Sequence, residues 1–350
     1  MAYTTINKST DYFNTKLYTG TGSSNAITGV GFQPDFTWLK KRSASGGHYL
    51  TDAVRGVTKT IYSDGTDAEG TVAQALTAFG ADGFTVGTDS GVNANTYTFA
   101  SWNWKSGTTS GITTNGSTDT TPSSYSFNQT AGISIVKYSG SGSTPTKIAH
   151  GLGVAPKMII VKRLTGTADW VVGHNSMADD WTKYIYLSST AASVTAGGAA
   201  WENTAPDTVN FTVGDNTQIN ASGSDYIAYC FAEKTGYSKF GSYTGNGNAD
   251  GTFVYTGFKP AFVMIKSFSD SSTWHLADNK RIGYNPLNYR IQPNNSNAEY
   301  QGFEIYSDFL SNGFKLRNTD TDTNGSGRTY IYMAFGQSMV GTNNVPATAR

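Results

Sequence analysis

The sequence predicts an all-β protein built of three tandem, homologous antiparallel β-sandwiches of jelly-roll-like topology. One motif, a tyrosine followed by Ser or Thr and then by two glycines spaced by one residue, occurs at 18–22, 138–142 and 243–247. Each copy is followed by a proline and, six residues later, by a lysine that closes an apolar run, at Lys40, Lys162 and Lys266. A long-period repeat of this kind decides the fold before any local pattern does.

Strand-like runs fill each copy and favour the sandwich. Each copy holds about seven such runs, separated by Gly, Asn, Asp or Ser clusters, and shows no long segment of helical period. In residues 97–104, aromatic or small apolar residues alternate with small polar ones, which is typical of a strand with one buried face. We align the closing strands on an aromatic pair spaced by five residues: Tyr97 and Trp102, Tyr226 and Phe231, Tyr330 and Phe335.

Composition along the chain sets the predicted boundaries. Residues 106–132 are rich in Ser, Thr and Gly and contain almost nothing to bury, so they are interpreted as a linker or long surface loop. We place a polar lead-in at 1–15, sandwiches at 16–105, 133–236 and 237–337, and a polar tail at 338–350.

Charge and cysteine content exclude several classes of partner. The chain carries 25 basic and 25 acidic residues, so no overall field draws it to nucleic acid. Cys230 is the one cysteine, which excludes an intramolecular disulfide and suits a small buried hydrophobe. No apolar stretch approaches the length of a membrane span, and the polar first residues do not look like a secretory leader. The prediction is a protein made in a cytoplasm without membrane insertion.

Motifs for catalysis are missing from the sequence. The histidines, His48, His150, His174 and His275, are scattered and show no zinc-binding spacing. There is no nucleophile elbow and no phosphate-binding loop. Carboxylates occur without a pattern that pairs them, as at Asp169, Asp179, Asp180 and Glu202. We therefore predict no enzymatic activity and no cofactor.

A short acidic segment is a weak candidate for a metal site. Asp320, Asp322 and Asn324 reproduce the opening of a calcium loop, with oxygen ligands at alternate positions. The twelfth position is Ile331 instead of the glutamate that such a loop requires. A hairpin turn is the favoured interpretation, because Asp and Asn are ordinary turn residues.

Candidate contact residues follow the repeated lysine in each copy. They are His48 and Tyr49 in the first copy, Trp170 in the second, and Trp274 and His275 in the third. Loop residues near these positions are predicted to contact a ligand or partner, since Tyr and Trp rings offer both stacking and hydrogen bonding. For His48 and His275 the alternative is a strand residue with a polar tip.

The repeated motif, the opening residues 1–15, the residues 83–87 and the ending 344–350 resemble virion proteins of tailed bacteriophages. Such proteins are usually described as tail-fibre, adhesin-like or surface structural components. The resemblance implies a place on the exterior of the virion, with other virion proteins as partners.

Three functions stay open at this point. The first is a tail-fibre or receptor-binding protein that attaches to host surface polysaccharide. The second is a decoration or adaptor protein of the head or tail that contacts only other virion proteins, and the third is a glycan-cleaving enzyme. Fibres are usually homotrimers, but three homologous domains in one chain can instead form a pseudo-threefold monomer.

Overall fold

The computed structural model describes residues 3–177, 181–302 and 307–340. Across these residues the strands pair antiparallel, and helices are limited to a 3-10 turn (Ser9–Asp11) and two four-residue helices, α1 (Ser90–Asn93) and α2 (Thr217–Asn220). The predicted all-β class is confirmed. Asp179, Asp180 and residues 341–350 of the predicted tail lie outside the described residues.

The first group of strands, here called unit 1, forms two sheets. A six-stranded sheet has the order β1-β9-β3-β4-β5-β6, and a three-stranded sheet has the order β2-β8-β7. The strands are β1 (Phe13–Thr19), β2 (Asn25–Thr28), β3 (Phe36–Lys41), β4 (His48–Asp52), β5 (Lys59–Tyr62), β6 (Gly70–Thr71), β7 (Leu76–Gly80), β8 (Gly83–Val86) and β9 (Thr98–Trp104).

Unit 2 has a seven-stranded sheet, β10-β11-β18-β13-β14-β15-β16, and a two-stranded sheet, β12-β17. The strand that carries the motif tyrosine, β11, pairs with the last strand, β18, as β1 pairs with β9 in unit 1. The strands are β10 (Ser124–Asn128), β11 (Ile133–Ser139), β12 (Thr146–Ala149), β13 (Met158–Arg163), β14 (Val171–His174), β15 (Lys183–Tyr186), β16 (Val194–Thr195), β17 (Asn210–Val213) and β18 (Asp225–Phe231).

Unit 3 has a four-stranded sheet, β19-β27-β21-β22, a three-stranded sheet, β20-β26-β25, and the pair β23-β24. An isolated bridge between Leu276 and Ile291 joins β22 to the segment that follows β23. The strands are β19 (Ser238–Thr244), β20 (Phe253–Tyr255), β21 (Lys259–Ser267), β22 (His275–Asp278), β23 (Tyr289–Arg290), β24 (Tyr300–Gln301), β25 (Ser307–Leu310), β26 (Gly313–Leu316) and β27 (Thr329–Gln337).

The strand register corrects the alignment of the closing strands. The motif tyrosine Tyr18 pairs with Phe99, and not with Tyr97, and the two rings stack with centroids 5.1 Å apart. Tyr226 and Tyr330 hold the corresponding place in the other units. Tyr97 was the wrong choice because a shift of two residues keeps every side chain on the same face, so alternation alone cannot detect it. The residue equivalent to Phe231 and Phe335 is consequently Trp104, and not Trp102.

Both faces of each larger sheet are covered. Along β3, Trp38 belongs to a central cluster shared by all three units, whereas Leu39 belongs to the cluster between the two sheets of unit 1. The interpretation of β9 as a strand with one buried face is therefore wrong. Its polar residues Ser101 and Asn103 are fully buried as well, and Asn103 Nδ2 donates to the carbonyl of Asn14 at 3.1 Å.

The last strand of each unit contributes one aromatic residue to the centre of the molecule, where the three rings lie against one another. The ring centroids are 6.4 Å apart for Trp104 and Phe231, 6.1 Å for Phe231 and Phe335, and 5.9 Å for Trp104 and Phe335. Such separations are those of favourable aromatic pairs. The three larger sheets thus surround a common centre with approximate threefold geometry.

The segments predicted as a linker and as a polar lead-in both contribute to the fold. The predicted linker 106–132 contains β10, which pairs with β11, and the hydroxyls of Ser106 and Ser126 lie 2.7 Å apart in the interior. The lead-in 1–15 contains the 3-10 turn and the start of β1, and the backbone N–H of Ser9 donates to Gln337 Oε1 of unit 3 at 2.8 Å. Ser, Thr and Gly dominate the composition of 106–132 and suggested a linker, yet its Ala131, like Ile6 and Phe13 of the lead-in, belongs to the central apolar cluster.

Candidate functional site

The three repeated lysines lie at the contacts between units. Each is almost fully buried, and burial lowers the pKa of each to about 8. Each Nζ donates to a carbonyl six residues further on in its own unit and to a carbonyl of the neighbouring unit. The oxygens belong to Gly46 and Ser296 for Lys40, to Ala168 and Thr66 for Lys162, and to Ser272 and Thr190 for Lys266, at 2.8–3.3 Å.

The residue eight positions after each lysine repeats this pattern. These residues are His48, Trp170 and Trp274, and each is at most 1% exposed. Their ring nitrogens bond to a main-chain carbonyl of the neighbouring unit, at Gln292 (3.1 Å), Tyr62 (2.8 Å) and Tyr186 (2.8 Å) respectively. Because Trp38 donates to His48 Nδ1 at 2.8 Å, the proton of His48 is on Nε2.

The five predicted contact residues therefore have internal positions. His275 is also buried, and Tyr49 is half-buried and meets Tyr62 edge to face at 4.9 Å. The structure does not bring the five together at one surface. The contacts found for His48, Trp170 and Trp274 are with neighbouring strands and units.

A further contact between units was missed in the sequence. Trp102 of unit 1 donates through Nε1 to Asp278 of unit 3 at 3.0 Å, and Asp278 pairs with Arg281 at 2.6 Å. The same arrangement joins Tyr229 of unit 2 to Asp52 and Arg55 of unit 1, with a Tyr229–Asp52 distance of 2.7 Å. The sequence does contain a signal for this contact. An Asp stands twelve residues, and an Arg fifteen residues, after the repeated lysine in units 1 and 3 (Lys40 and Lys266).

The remaining interface, between units 2 and 3, lacks this charged network. Unit 2 has His174 and Met177 where the other units have Asp and Arg, and unit 3 has Met333 where the others have Trp102 or Tyr229. His174 Nε2 bonds to the carbonyl of Tyr332 at 3.2 Å. The donor and its acidic acceptor were thus replaced together, which avoids a buried unpaired charge.

The candidate metal residues have protein partners. Asp322 accepts hydrogen bonds from the backbone N–H and the hydroxyl of Thr273, and Arg290 lies 3.5 Å from both Asp320 and Asp322. Asn324 Nδ2 donates to the carbonyl of Asn318 at 2.7 Å. Among the described residues, no three His, Cys, Asp or Glu side chains are grouped as metal ligands. We therefore assign no metal chemistry to this loop.

An open groove runs along the contact between units 1 and 3. It consists of cavities of about 270, 180 and 270 Å³. The first two share Lys259 and Asn279, and the last two share Asn14 and Lys280, so the three cavities adjoin one another and are treated together as one depression. Tyr284, which is 69% exposed, stands at one end. We call this depression the 1–3 groove.

The lining of the 1–3 groove is polar, with one exposed aromatic ring. Its lining combines amides, ammonium groups and one exposed phenol ring, whereas the described lining residues include no His, Cys, Asp or Glu. Hydrolysis of a glycosidic bond ordinarily uses a pair of carboxyl groups. Convergent polar groups beside an aromatic ring are typical of a site that orients a ligand.

Comparison with known proteins yields a family and no characterised relative. No helix in the described part of the chain is long and apolar enough to cross a membrane. No curated protein and no solved structure matched the chain. A family model matches residues 8–338, a range that takes in all three units. The chain therefore belongs to the DUF7483 family, described as a domain of unknown function.

Proposed function

We propose that the protein is a non-enzymatic virion component of the tail-fibre or receptor-binding kind, which attaches to polysaccharide on the host surface. The observation that carries the binding role is the 1–3 groove, where the exposed ring of Tyr284 lies beside Asn279 and Asn285. An aromatic ring stacks on the apolar face of a sugar, and amide groups exchange hydrogen bonds with its hydroxyls. The virion location rests on the resemblance of the repeated motif and the terminal sequences.

The groove is supported by ordered contacts. Asn285 bonds to the backbone N–H and the carbonyl of Phe309 at 2.9 and 3.0 Å, which fixes the segment that carries Tyr284. Asp278, next to Asn279, is bonded to Arg281 and Trp102. A site on a fixed framework loses little conformational entropy when a ligand binds.

A binding assay with purified protein tests the proposal. Tyr284→Ala should weaken binding to host cells or to extracted surface polysaccharide at least tenfold, the cost of losing one stacking contact together with its hydrogen bond. The matched control is Tyr300→Ala, since Tyr300 is 46% exposed and does not line the groove. Equal binding by both variants and the unaltered protein would contradict a role for the groove.

Location on the particle tests the virion assignment. Immunogold labelling of the source particle should place the protein on distal tail appendages if it is a receptor-binding component. Label on non-viral structures alone would refute the virion assignment.

The second candidate is a structural adaptor or decoration protein, and the central triad Trp104, Phe231 and Phe335 favours it. A chain with approximate threefold geometry presents three similar surfaces, which matches a threefold position in a symmetric shell or tube. Label over the head or the tail tube, together with no binding to cells, would support this candidate over the first.

A further inference from the structure

In the smaller sheet of each unit, the first strand lies at an edge of the sheet. In unit 2 this strand is β12, and a segment of the preceding chain covers its edge. The backbone N–H of Thr120 donates to the carbonyl of Lys147 at 2.9 Å, and the N–H of Ala149 donates to the carbonyl of Thr120 at 3.3 Å. Thr120 therefore lies beside Ile148 as a short added strand, parallel to β12.

The same edge of unit 3 is open. Its first strand, β20, has Val254 at the centre, opposite a phenylalanine of the adjacent strand as in β12. The main chain of Thr252 bonds to that adjacent strand, and bonded and non-bonded pairs alternate along an antiparallel ladder. The main-chain groups of Phe253 and Tyr255 consequently point away from the sheet. In the described part of the chain, no group bonds to the carbonyl of Phe253 or to the N–H of Tyr255.

The connection that leads into unit 3 differs from the one that leads into unit 2. It consists of residues 232–237, between the end of β18 and the start of β19. These residues form a turn, in which the N–H groups of Tyr237 and Ser238 both donate to the carbonyl of Lys234 at 2.9 Å. The described main chain of this turn makes no hydrogen bond to β20, so the covering strand of unit 2 has no counterpart here.

Exposed aromatic rings border the open edge. Phe253 is 43% exposed and Tyr255 is 59% exposed. Tyr3 of the lead-in, also 43% exposed, donates to the carbonyl of Gly257 at 3.1 Å, just beyond the end of β20. The residues of the other units at the two strand positions are small or charged: Ala26 and Thr28 in β2, Lys147 and Ala149 in β12. Protein edges are commonly blunted by charge or proline, and β20 has neither.

We propose that the open edge of β20 binds an extended segment of a partner protein as an added parallel strand, with apolar residues beside Phe253 and Tyr255. The central residue of that segment donates to the carbonyl of Phe253 and accepts from the N–H of Tyr255, as Thr120 does at β12. Tyr3, Phe253 and Tyr255 do not line the 1–3 groove, so this role goes beyond polysaccharide attachment and does not depend on it.

The covering segment of unit 2 indicates the chemistry of the partner. Asp119 lies beside Lys147, and its Oδ2 accepts from the backbone N–H of Lys147 at 2.8 Å. Residues of opposite charge thus stand side by side where the segment meets its edge. Phe253 replaces the lysine in unit 3, and neighbouring side chains on one face of a sheet stabilise it when they match. The matching side chain is therefore apolar at this position.

The test uses the full chain and three blocked peptides based on the covering segment 116–123. The probe peptide carries Asp119→Val and Thr121→Val, which places apolar residues at the two outward positions. The unchanged segment is the second peptide. The third is the probe with an N-methyl group on the amide of residue 120, which removes the hydrogen that the carbonyl of Phe253 accepts. Calorimetry measures binding, and hydrogen exchange of the Tyr255 amide locates it.

Two protein variants complete the design. Phe253→Lys/Tyr255→Ala installs the residues of β12 at exposed positions, and Tyr300→Ala removes an exposed ring elsewhere. We expect the probe to bind at least tenfold more tightly than either other peptide and to slow exchange of the Tyr255 amide. The double variant should bind the probe at least tenfold more weakly, and Tyr300→Ala should bind it like the unaltered protein. Unchanged thermal midpoints should show that both variants fold.

Several results would overturn the inference. Equal binding of the N-methylated probe would show that no main-chain bond is made to the edge, and no binding at about 1 mM probe would show that the edge does not accept a strand. Slowed exchange at Thr28 of β2 instead of Tyr255 would place the site in unit 1. A Tyr255 amide that is already protected in the free protein would mean that the chain covers the edge itself. A dimer in sedimentation that the double variant converts to a monomer would identify a second copy as the occupant.

Discussion

A buried lysine is stable only where protein oxygens replace the water that its amine loses. Lys162 illustrates how this need serves assembly, because one of its acceptors, Ala168, is in unit 2 and the other, Thr66, is in unit 1. Its amine therefore connects two units through main-chain atoms. Burial lowers its pKa to about 8, so the neutral amine, which still donates two hydrogen bonds, becomes accessible at mildly alkaline pH.

Replacing this lysine should both destabilise the protein and change its pH dependence. Lys162→Met leaves two buried carbonyls without their donor, which costs roughly 2–3 kcal/mol of the free energy of unfolding. An unfolded chain keeps the lysine proton up to about pH 10.4, whereas the folded chain releases it near pH 8. Stability of the unaltered protein should therefore rise relative to the variant between pH 8 and about 10, by less than roughly 1.4 kcal/mol per pH unit.

Urea denaturation of both proteins at several pH values measures this difference. A difference in unfolding free energy that stays constant from pH 8 to 10 would show that the lysine pKa is not lowered by burial. Lys183→Met, at a partly exposed position on β15, is the control for exchanging a lysine for methionine and should leave the free energy of unfolding at pH 7 nearly unchanged.

At the scale of elements, the repeated Gly-x-Gly turn is explained by close backbone approach. A Cβ atom at Gly140 would overlap the carbonyl oxygen of Ala221, and Gly142 has a positive φ of 68°. The turn is held by the buried amide of Asn220, whose Oδ1 accepts from the backbone N–H of Ser141 at 2.9 Å. The same contact recurs in the other copies through Asn93 and Asn324.

Gly140→Ala should therefore destabilise the protein by about 1–3 kcal/mol, since the turn has to move away from α2. Gly116→Ala is the matched control, because a Cβ there meets nothing within 4 Å and the backbone has no positive φ. Thermal denaturation of the two variants measures the contrast. Equal midpoints would mean that the turn adapts and that the close approach is not required.

The elements also show what sequence patterns can and cannot predict. The repeat predicted the strands near each proline, because a run such as Met158 to Val161 is apolar at successive positions, as in a strand buried on both faces. The alternation of apolar and polar residues gave a wrong prediction for β9, because small polar residues such as Ser101 are buried on its second face. The 1–3 groove had no local signal, because Lys16 and Lys280 meet only when units 1 and 3 come together.

At the scale of the whole molecule, acidic pH should destabilise the folded state, because its buried histidines are held in the neutral form. Burial lowers the pKa of His150 and of His174 to about 4, and that of His48 and His275 well below the ordinary value. In His174, Nδ1 accepts from the backbone N–H of Ser176 at 3.1 Å, so protonation would break this bond.

An unfolded chain binds protons at these sites below about pH 6.5, whereas the folded chain resists until about pH 4. Stability should consequently fall as pH drops through this window. In His174→Gln the free energy of unfolding should fall less steeply with decreasing pH than in the unaltered protein, by up to about 1.4 kcal/mol per pH unit. Denaturation midpoints between pH 4.5 and 7 test this, and identical slopes for the variant and the unaltered protein would exclude a contribution from His174.

The cyclic contacts further imply that the three units unfold together as one chain. The apolar residues of the central cluster come from all three larger sheets, so opening one unit would expose core residues of the other two, such as Phe231 and Phe335. We expect a monomer of 37.4 kDa in sedimentation and a single transition in calorimetry, with calorimetric and van't Hoff enthalpies in agreement.

Trp104→Ala, at the centre, should lower the midpoint of that one transition by removing a buried aromatic side chain worth about 3–5 kcal/mol. Separate transitions, of which only one shifted in this variant, would show instead that the units are stable independently, and a trimer in sedimentation would show that the chain does not complete its own threefold arrangement.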